Sequence, residues 1–132
     1  MLHLKRNIIA VTLLLVFDFI WIGLNYSRYN TLVSNVQGSK MNTKIVSAIL
    51  AYTLMVIGLI YIVFPLVDRD ESKNKLLKAL KYGGLFGLIV YGIYNFTNYA
   101  IFDNYSLSIG ITDTLWGTFV YFIVTYIALY IK

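Results

Sequence analysis

The sequence contains no cysteine, one histidine and one proline among its 132 residues. Without cysteine, the chain can form no disulfide, thiolate nucleophile or iron–sulfur cluster. The single histidine, His3, lies close to the first residue, so neither haem ligation nor a histidine metal site is expected. The residue types therefore predict no cofactor, no bound metal and no catalytic residue.

Charged residues are also scarce. They make up 13% of the chain, about half the share of an average soluble domain. Apolar residues make up 59% and concentrate in four runs, at residues 7–26, 45–64, 82–101 and 109–131. Each run is close to the ~20 residues that a helix needs to cross a bilayer. Because these runs fill most of a short chain, we expect residues 1–132 to form a single domain. Its predicted fold class is all-α, an integral membrane bundle of four transmembrane helices.

The basic residues indicate how the bundle is oriented. With four spans, the N-terminal segment, the second loop and the C-terminal Lys132 lie on one face, which carries eight lysines and arginines. The opposite face carries Arg28, Lys40 and Lys44. Since basic residues mark the cytoplasmic side, both termini are predicted to be cytoplasmic, in an antiparallel up-down bundle. The net charge of +5 is explained by this rule and by anionic lipid, so a nucleic-acid partner is not expected.

The loop after the first run has a helical pattern. Tyr29, Leu32, Val33 and Val36 recur at steps of three and four, and Gly38 follows as a helix stop. This predicts a short amphipathic helix in the first external loop, near the membrane interface. A simple extension of the first span is the alternative. At the other side of the bundle, Pro65 predicts the end of the second helix.

Four polar residues interrupt the apolar runs. Asp18 lies in the first run, Asn95 and Asn98 in the third, and Asp113 in the fourth. A carboxylate at the centre of a bilayer costs about 2.5–3.5 kcal/mol on insertion scales, so it needs a partner or a function. In the predicted orientation all four lie on the outer side of the midplane. We therefore expect them to form one shared interior site.

Aromatic residues lie on the same helix faces. Asp18 and Trp21 are three residues apart, as are Asp113 and Trp116, and glycines follow both pairs. This Asp-x-x-Trp echo is either an inverted repeat or chance. The predicted ligand-binding residues are Asp18, Trp21, Tyr91, Tyr94, Asn95, Asn98, Asp113 and Trp116. Four further tyrosines are assigned instead to the aromatic belts at the interfaces: Tyr26, Tyr29, Tyr99 and Tyr105.

The segments that carry these residues resemble a small four-helix membrane family, domain of unknown function 2177. The resemblance covers nearly the whole chain and is carried by residues 18–21, 91–98 and 113–117. It implies a four-span integral membrane protein and supplies no activity. Where the family shows Tyr-Asp-x-Thr-Asn, this chain has Asn95 for the aspartate, so one charge is missing from the predicted site.

Three classes of function fit the sequence. In the first, the polar site binds a small molecule, a proton or a cation for transport or ligand binding. In the second, the polar residues form a structural network that only holds the bundle together. In the third, the two aspartates act as acid and base in a membrane enzyme for a lipid or isoprenoid. The lipid bilayer is the one expected partner, and the sequence leaves homo-oligomer formation open.

Overall fold

The computed structural model describes residues 2–131, with the side chain of Leu2 excepted, so Lys132 lies outside the described residues. The described residues are almost entirely helical and contain no strand. The α-helices are α1 Leu2–Leu24, α2 Tyr26–Gln37, α3 Ile45–Gly58, α4 Phe64–Arg69, α5 Lys75–Lys78, α6 Leu85–Ile101 and α7 Leu107–Ala128. Two π-helical segments, Leu59–Val63 and Ala79–Gly84, join α3 to α4 and α5 to α6.

These elements make four helices that are long and apolar enough to cross a membrane. We call them span one, His3–Leu24, span two, Ile45–Arg69, span three, Lys75–Ile101, and span four, Leu107–Ala128. The prediction of an all-α protein with four membrane-spanning helices is confirmed. Spans two and three are longer than the apolar runs because each continues into the charged segment that separates them.

The prediction that Pro65 ends the second helix is wrong. The helix continues to Arg69, and Pro65 lies in the first turn of α4. A proline in the first turn of a helix removes an N–H that has no partner there. The helix reaches this turn through the π segment, in which the Phe64 N–H donates to the Leu59 carbonyl five residues earlier. The change of register thus carries the helix through the proline.

Span four occupies the centre of the bundle. It packs against span three along much of its length and also against span one. Small residues allow the close approach, since a Cβ built on Gly87 would overlap the backbone of Gly117, and one on Gly83 would overlap Thr125. Further along, a Cβ on Gly92 would lie 3.6 Å from the Thr114 methyl group. Side chains on span four therefore reach into the site from a backbone held close to span three.

The interior has an apolar half and a polar half. The apolar half is a buried cluster from spans one, two and four: Ala10, Leu14, Leu59, Val63, Phe64, Val67, Val120, Tyr121, Val124 and Ala128. The buried polar residues Asp18, Asn95 and Asp113 lie in the other half, with Thr114 beside them. Outside, most large apolar side chains are exposed, as expected for helices surrounded by lipid. The polar site thus rests on a packed apolar core.

An ion pair links spans one and two at the apolar end of the bundle. The Arg6 guanidinium donates to both carboxylate oxygens of Asp68, at 2.7 and 2.9 Å, and lies 4.4 Å from the centre of the Phe64 ring. The planar fork of arginine suits this two-bond geometry. The contact joins the first turns of span one to the last turn of span two.

Candidate functional site

Asp18 lies at the meeting point of all four spans. It is 5% exposed and accepts three hydrogen bonds from neutral donors. The Tyr52 hydroxyl of span two donates to Oδ2 at 2.7 Å, and the Tyr91 hydroxyl of span three donates to Oδ1 at 2.9 Å. The Trp116 indole of span four donates to the same Oδ1 at 3.0 Å. One carboxylate therefore connects the whole bundle.

Asp113 has a separate set of donors. It is 9% exposed and accepts from the Tyr29 hydroxyl at 2.6 Å and from the Asn95 amide at 2.7 Å. Asn95 is itself 1% exposed, and its amide oxygen accepts from the Tyr105 hydroxyl at 2.7 Å. The second amide hydrogen of Asn95 goes to the Tyr91 carbonyl at 2.9 Å. The Asn95 amide thus uses both of its donors and accepts one hydrogen bond, so it links the Tyr105 hydroxyl to the Asp113 carboxylate.

The two carboxylates are joined through a pair of stacked tryptophans. The rings of Trp21 and Trp116 lie 4.7 Å apart and within 3° of parallel. Trp116 donates to Asp18, whereas Trp21 donates at 2.8 Å to the Tyr29 hydroxyl, which in turn donates to Asp113. Each Asp-x-x-Trp motif therefore supplies the carboxylate of one network and the indole of the other.

The stack is not a path for protons. An indole nitrogen donates one hydrogen bond and accepts none, so it cannot relay a proton. Asp18 and Asp113 are thus connected by packing and by their charges. A proton that arrives at Asp113 does not reach Asp18 through the indoles.

The remaining predicted site residues lie at the margin. Tyr94 is 62% exposed on the outer surface of span three. Asn98 is partly buried next to the hydroxyl groups of Tyr94 and Tyr105. Of the eight predicted residues, the structure joins six in the two networks and places these two beside them.

Three tyrosines of the site were not predicted from the sequence. Tyr29 and Tyr105 were assigned to the aromatic belts, and no role was given to Tyr52, yet each donates to the network. The belt assignment was wrong for Tyr29 and Tyr105 because both side chains point inward from connecting segments. Tyr52 is one of four hydroxyl-bearing residues in the second apolar run, with Ser47, Thr53 and Tyr61, so the sequence does not single it out.

The electrostatic character of the site follows from these donors. The ion pairs formed among residues 2–131 are Arg6 with Asp68 and Lys81 with Asp70, so they involve neither aspartate of the site. Burial, followed by the hydrogen bond to Asp113, raises the pKa of the Tyr29 hydroxyl far above its usual range. Burial likewise raises the pKa of Tyr105 to about 12. Both hydroxyls therefore stay protonated and continue to donate at neutral pH.

The donor set lacks the features of a multivalent metal site. Within residues 2–131, no three histidine, cysteine, aspartate or glutamate side chains come together as metal ligands. Calcium takes six to eight oxygen ligands, whereas the tyrosines here present hydrogens to the carboxylates.

Comparison with protein families identifies the chain's relatives as a group. The family described as a predicted membrane protein, domain of unknown function 2177, matches residues 3–130. Comparisons with curated proteins and with solved structures find no match. The match covers all four spans and both carboxylate networks, so the chain belongs to the family of predicted membrane proteins with domain of unknown function 2177.

Proposed function

We propose that this membrane protein binds a proton or a small cation at the linked carboxylates of Asp18 and Asp113, as part of transport or ligand binding. The observation that carries the proposal is that both buried carboxylates are held by neutral donors alone, among the contacts of the described residues. Both oxygens of each carboxylate accept hydrogen bonds, so the network itself uses the two carboxyl groups. The neutral donors leave the negative charge of the carboxylates uncompensated, and a proton or a cation would compensate it.

Of the two carboxylates, Asp113 is better placed to receive the ligand. Asp18 already accepts three bonds of the about four that a carboxylate can accept, and Asp113 accepts two. Asp113 thus has more capacity for a further partner. It also lies near the start of span four, next to α2, whereas Asp18 lies deeper in span one. Asp113 is therefore the carboxylate that a ligand from the outer side would contact first.

The proposed topology is an antiparallel bundle with both termini in the cytoplasm and α2 in the first external loop, at the outer interface. The partners of span three support the opposite direction of span four, since Gly83, Gly87 and Gly92 approach Thr125, Gly117 and Thr114 in turn. The excess of basic residues in the second loop supports the cytoplasmic side. In this topology the polar half of the bundle faces outward.

One observation favours the structural alternative. Each donor that reaches Asp18 or Asp113 is already paired, and such a satisfied network can fix the packing of a bundle without binding anything. The two possibilities differ in what the negative charge does, so a charge-removing substitution separates them.

The test compares wild type with Asp113→Asn and Asp18→Asn in lipid nanodiscs. Thermal unfolding is measured across pH and with sodium, potassium or choline as the cation at constant ionic strength. The proposal expects the wild-type unfolding temperature to change with pH or cation and the change to be lost in Asp113→Asn. The exposed loop residue Asp103 provides the matched control, and Asp103→Asn should keep the wild-type response. Identical, flat responses in wild type and both site variants would refute binding and leave the structural alternative.

A further inference from the structure

A cavity lies in the apolar half of the bundle, between spans two and three. It has a volume of about 300 Å³. Its walls include Ile62 and Leu66 from span two and Leu85 and Ile89 from span three, all of which are about half exposed. Because these side chains lie within the membrane-spanning helices, the cavity is a groove that opens toward lipid. It is separate from the carboxylate networks, whose members are absent from its lining.

The groove coincides with the two π-helical segments. Ile62 belongs to the segment Leu59–Val63, and Lys81 and Tyr82 belong to the segment Ala79–Gly84. The two segments contact each other. A π turn is rare, occurs mostly inside α-helices and is frequent at functional sites. The two π-helical segments contact each other beside one groove, which is a second indication that the groove has a function.

A cation marks one end of the groove. Lys81 lines it, and its side chain is 59% exposed. Its ammonium group lies 4.8 Å from the centre of the Tyr82 ring and 3.7 Å from Asp70, a distance at the long end for an ion pair. Asp70 is already bonded to the Tyr82 hydroxyl at 2.9 Å and to the Ser72 N–H at 2.8 Å. The Asp70 carboxylate therefore holds the Lys81 ammonium group beside the groove, while more than half of the lysine side chain stays exposed.

We propose that this groove binds an anionic phospholipid, with an acyl chain along the apolar wall and the phosphate on Lys81. Charge complementarity selects the occupant: an apolar channel that ends at an exposed ammonium matches a fatty chain that ends at a phosphate. Basic pockets between membrane helices bind anionic headgroups in this way. A neutral lipid fills the wall equally well and gains nothing from the lysine.

The experiment measures lipid retention by native mass spectrometry and by thermal shift. Purified protein receives phosphatidylglycerol or phosphatidylcholine with the same oleoyl chains. Wild type should retain phosphatidylglycerol preferentially, and Lys81→Gln should reduce that preference about fivefold, as expected for one basic residue at a membrane surface. Lys81→Arg should restore it. Lys73 lies in the connection that precedes span three and does not line the groove, so Lys73→Gln should leave the preference unchanged.

Filling the groove tests the apolar wall. Leu85→Trp places a large ring in the groove and should reduce retention of both lipids. If this variant does not fold, Ile89→Trp serves instead, because it fills the same groove one helical turn away. Equal retention of the two lipids by wild type, or equal loss of preference in Lys81→Gln and Lys73→Gln, would overturn the proposal. So would a bound lipid that inorganic phosphate alone displaces, since the site would then be specific for phosphate and not for a lipid.

Discussion

The Trp21 and Trp116 rings stack in parallel 4.7 Å apart, and each indole serves the aspartate network of the other helix. The arrangement is reciprocal. Trp116 follows Asp113 by one helical turn and bonds Asp18, while Trp21 follows Asp18 by one turn and reaches Asp113 through Tyr29. A disturbance of either ring therefore alters both networks.

Replacing Trp116 by phenylalanine separates the contribution of the indole hydrogen bond from that of the ring stack. Trp116→Phe removes the bond to Asp18 and keeps an aromatic surface against Trp21. We expect a loss of about 0.6 kcal/mol, the average for a hydrogen bond between membrane helices. Trp116→Ala should cost several times more, because the stack is lost as well. Circular dichroism during thermal unfolding measures both, and equal losses in the two variants would show that the stack contributes nothing.

Gly117 is the position where added bulk should be least tolerated. A Cβ there would overlap the Tyr91 ring, whose hydroxyl donates to Asp18. We expect Gly117→Ala to destabilise the protein by about 1–3 kcal/mol, the usual range for overpacking, and to disturb the Asp18 network. Gly23 is the matched control, since nothing lies within 4 Å of a Cβ built on it. Gly23→Ala should be neutral or stabilising, and similar losses in the two variants would contradict the packing argument.

Asn95→Asp would place a third carboxyl group in the site, at the position where the resemblance to the family implies an aspartate. The Asn95 amide nitrogen lies 2.7 Å from Asp113, so the variant places two carboxyl groups in hydrogen-bond contact. Two such groups cannot both be ionised at this distance, and the pair should share one proton. Because the unfolded chain releases that proton, stability should fall as pH rises through the neutral range. Thermal unfolding of the variant across pH tests this, and a pH dependence equal to that of wild type would refute it.

Tyr105 should give the protein a measurable alkaline limit. Its pKa is raised from 10.0 to about 12 in the folded protein, so the folded state keeps a proton that the unfolded state releases. Stability should be insensitive to this group below pH 10.0 and should fall between 10.0 and about 12. Tyr105→Phe should make this fall shallower by one proton, and an unchanged slope in this variant would contradict the prediction. Denaturation at several alkaline pH values provides the slopes.

The proposed topology predicts a labelling pattern. The chain has no cysteine, so single substitutions can be made without a background signal. Asn104→Cys should react with a membrane-impermeant maleimide from outside the cell, and Ser72→Cys should react only after the membrane is opened. The reverse pattern would overturn the orientation.

The sequence predicted which residues form the site better than it predicted the hydrogen bonds between them. Length and hydropathy were enough for four membrane helices, because a bilayer admits few alternatives. Asp18, Asn95 and Asp113 stood out for the same reason, as polar groups that hydrocarbon does not tolerate. Tyr29 and Tyr105 could not be assigned, because tyrosine is equally suited to an interface and to a buried carboxylate. The prediction for Pro65 was wrong because the helix changes to π register just before the proline and continues past it. The local sequence does not reveal that change of register.

The three donors of Asp18 also make the membrane insertion of span one depend on the spans that are synthesised after it. Span one is synthesised first, yet the groups that satisfy its carboxylate come from Tyr52, Tyr91 and Trp116 on spans two, three and four. Until the last of these enters the membrane, Asp18 is an incompletely satisfied charge in hydrocarbon or at the translocation channel. In a nascent chain that ends before span four, span one should therefore be inserted less stably in the bilayer. In the full-length chain, span one should be inserted stably.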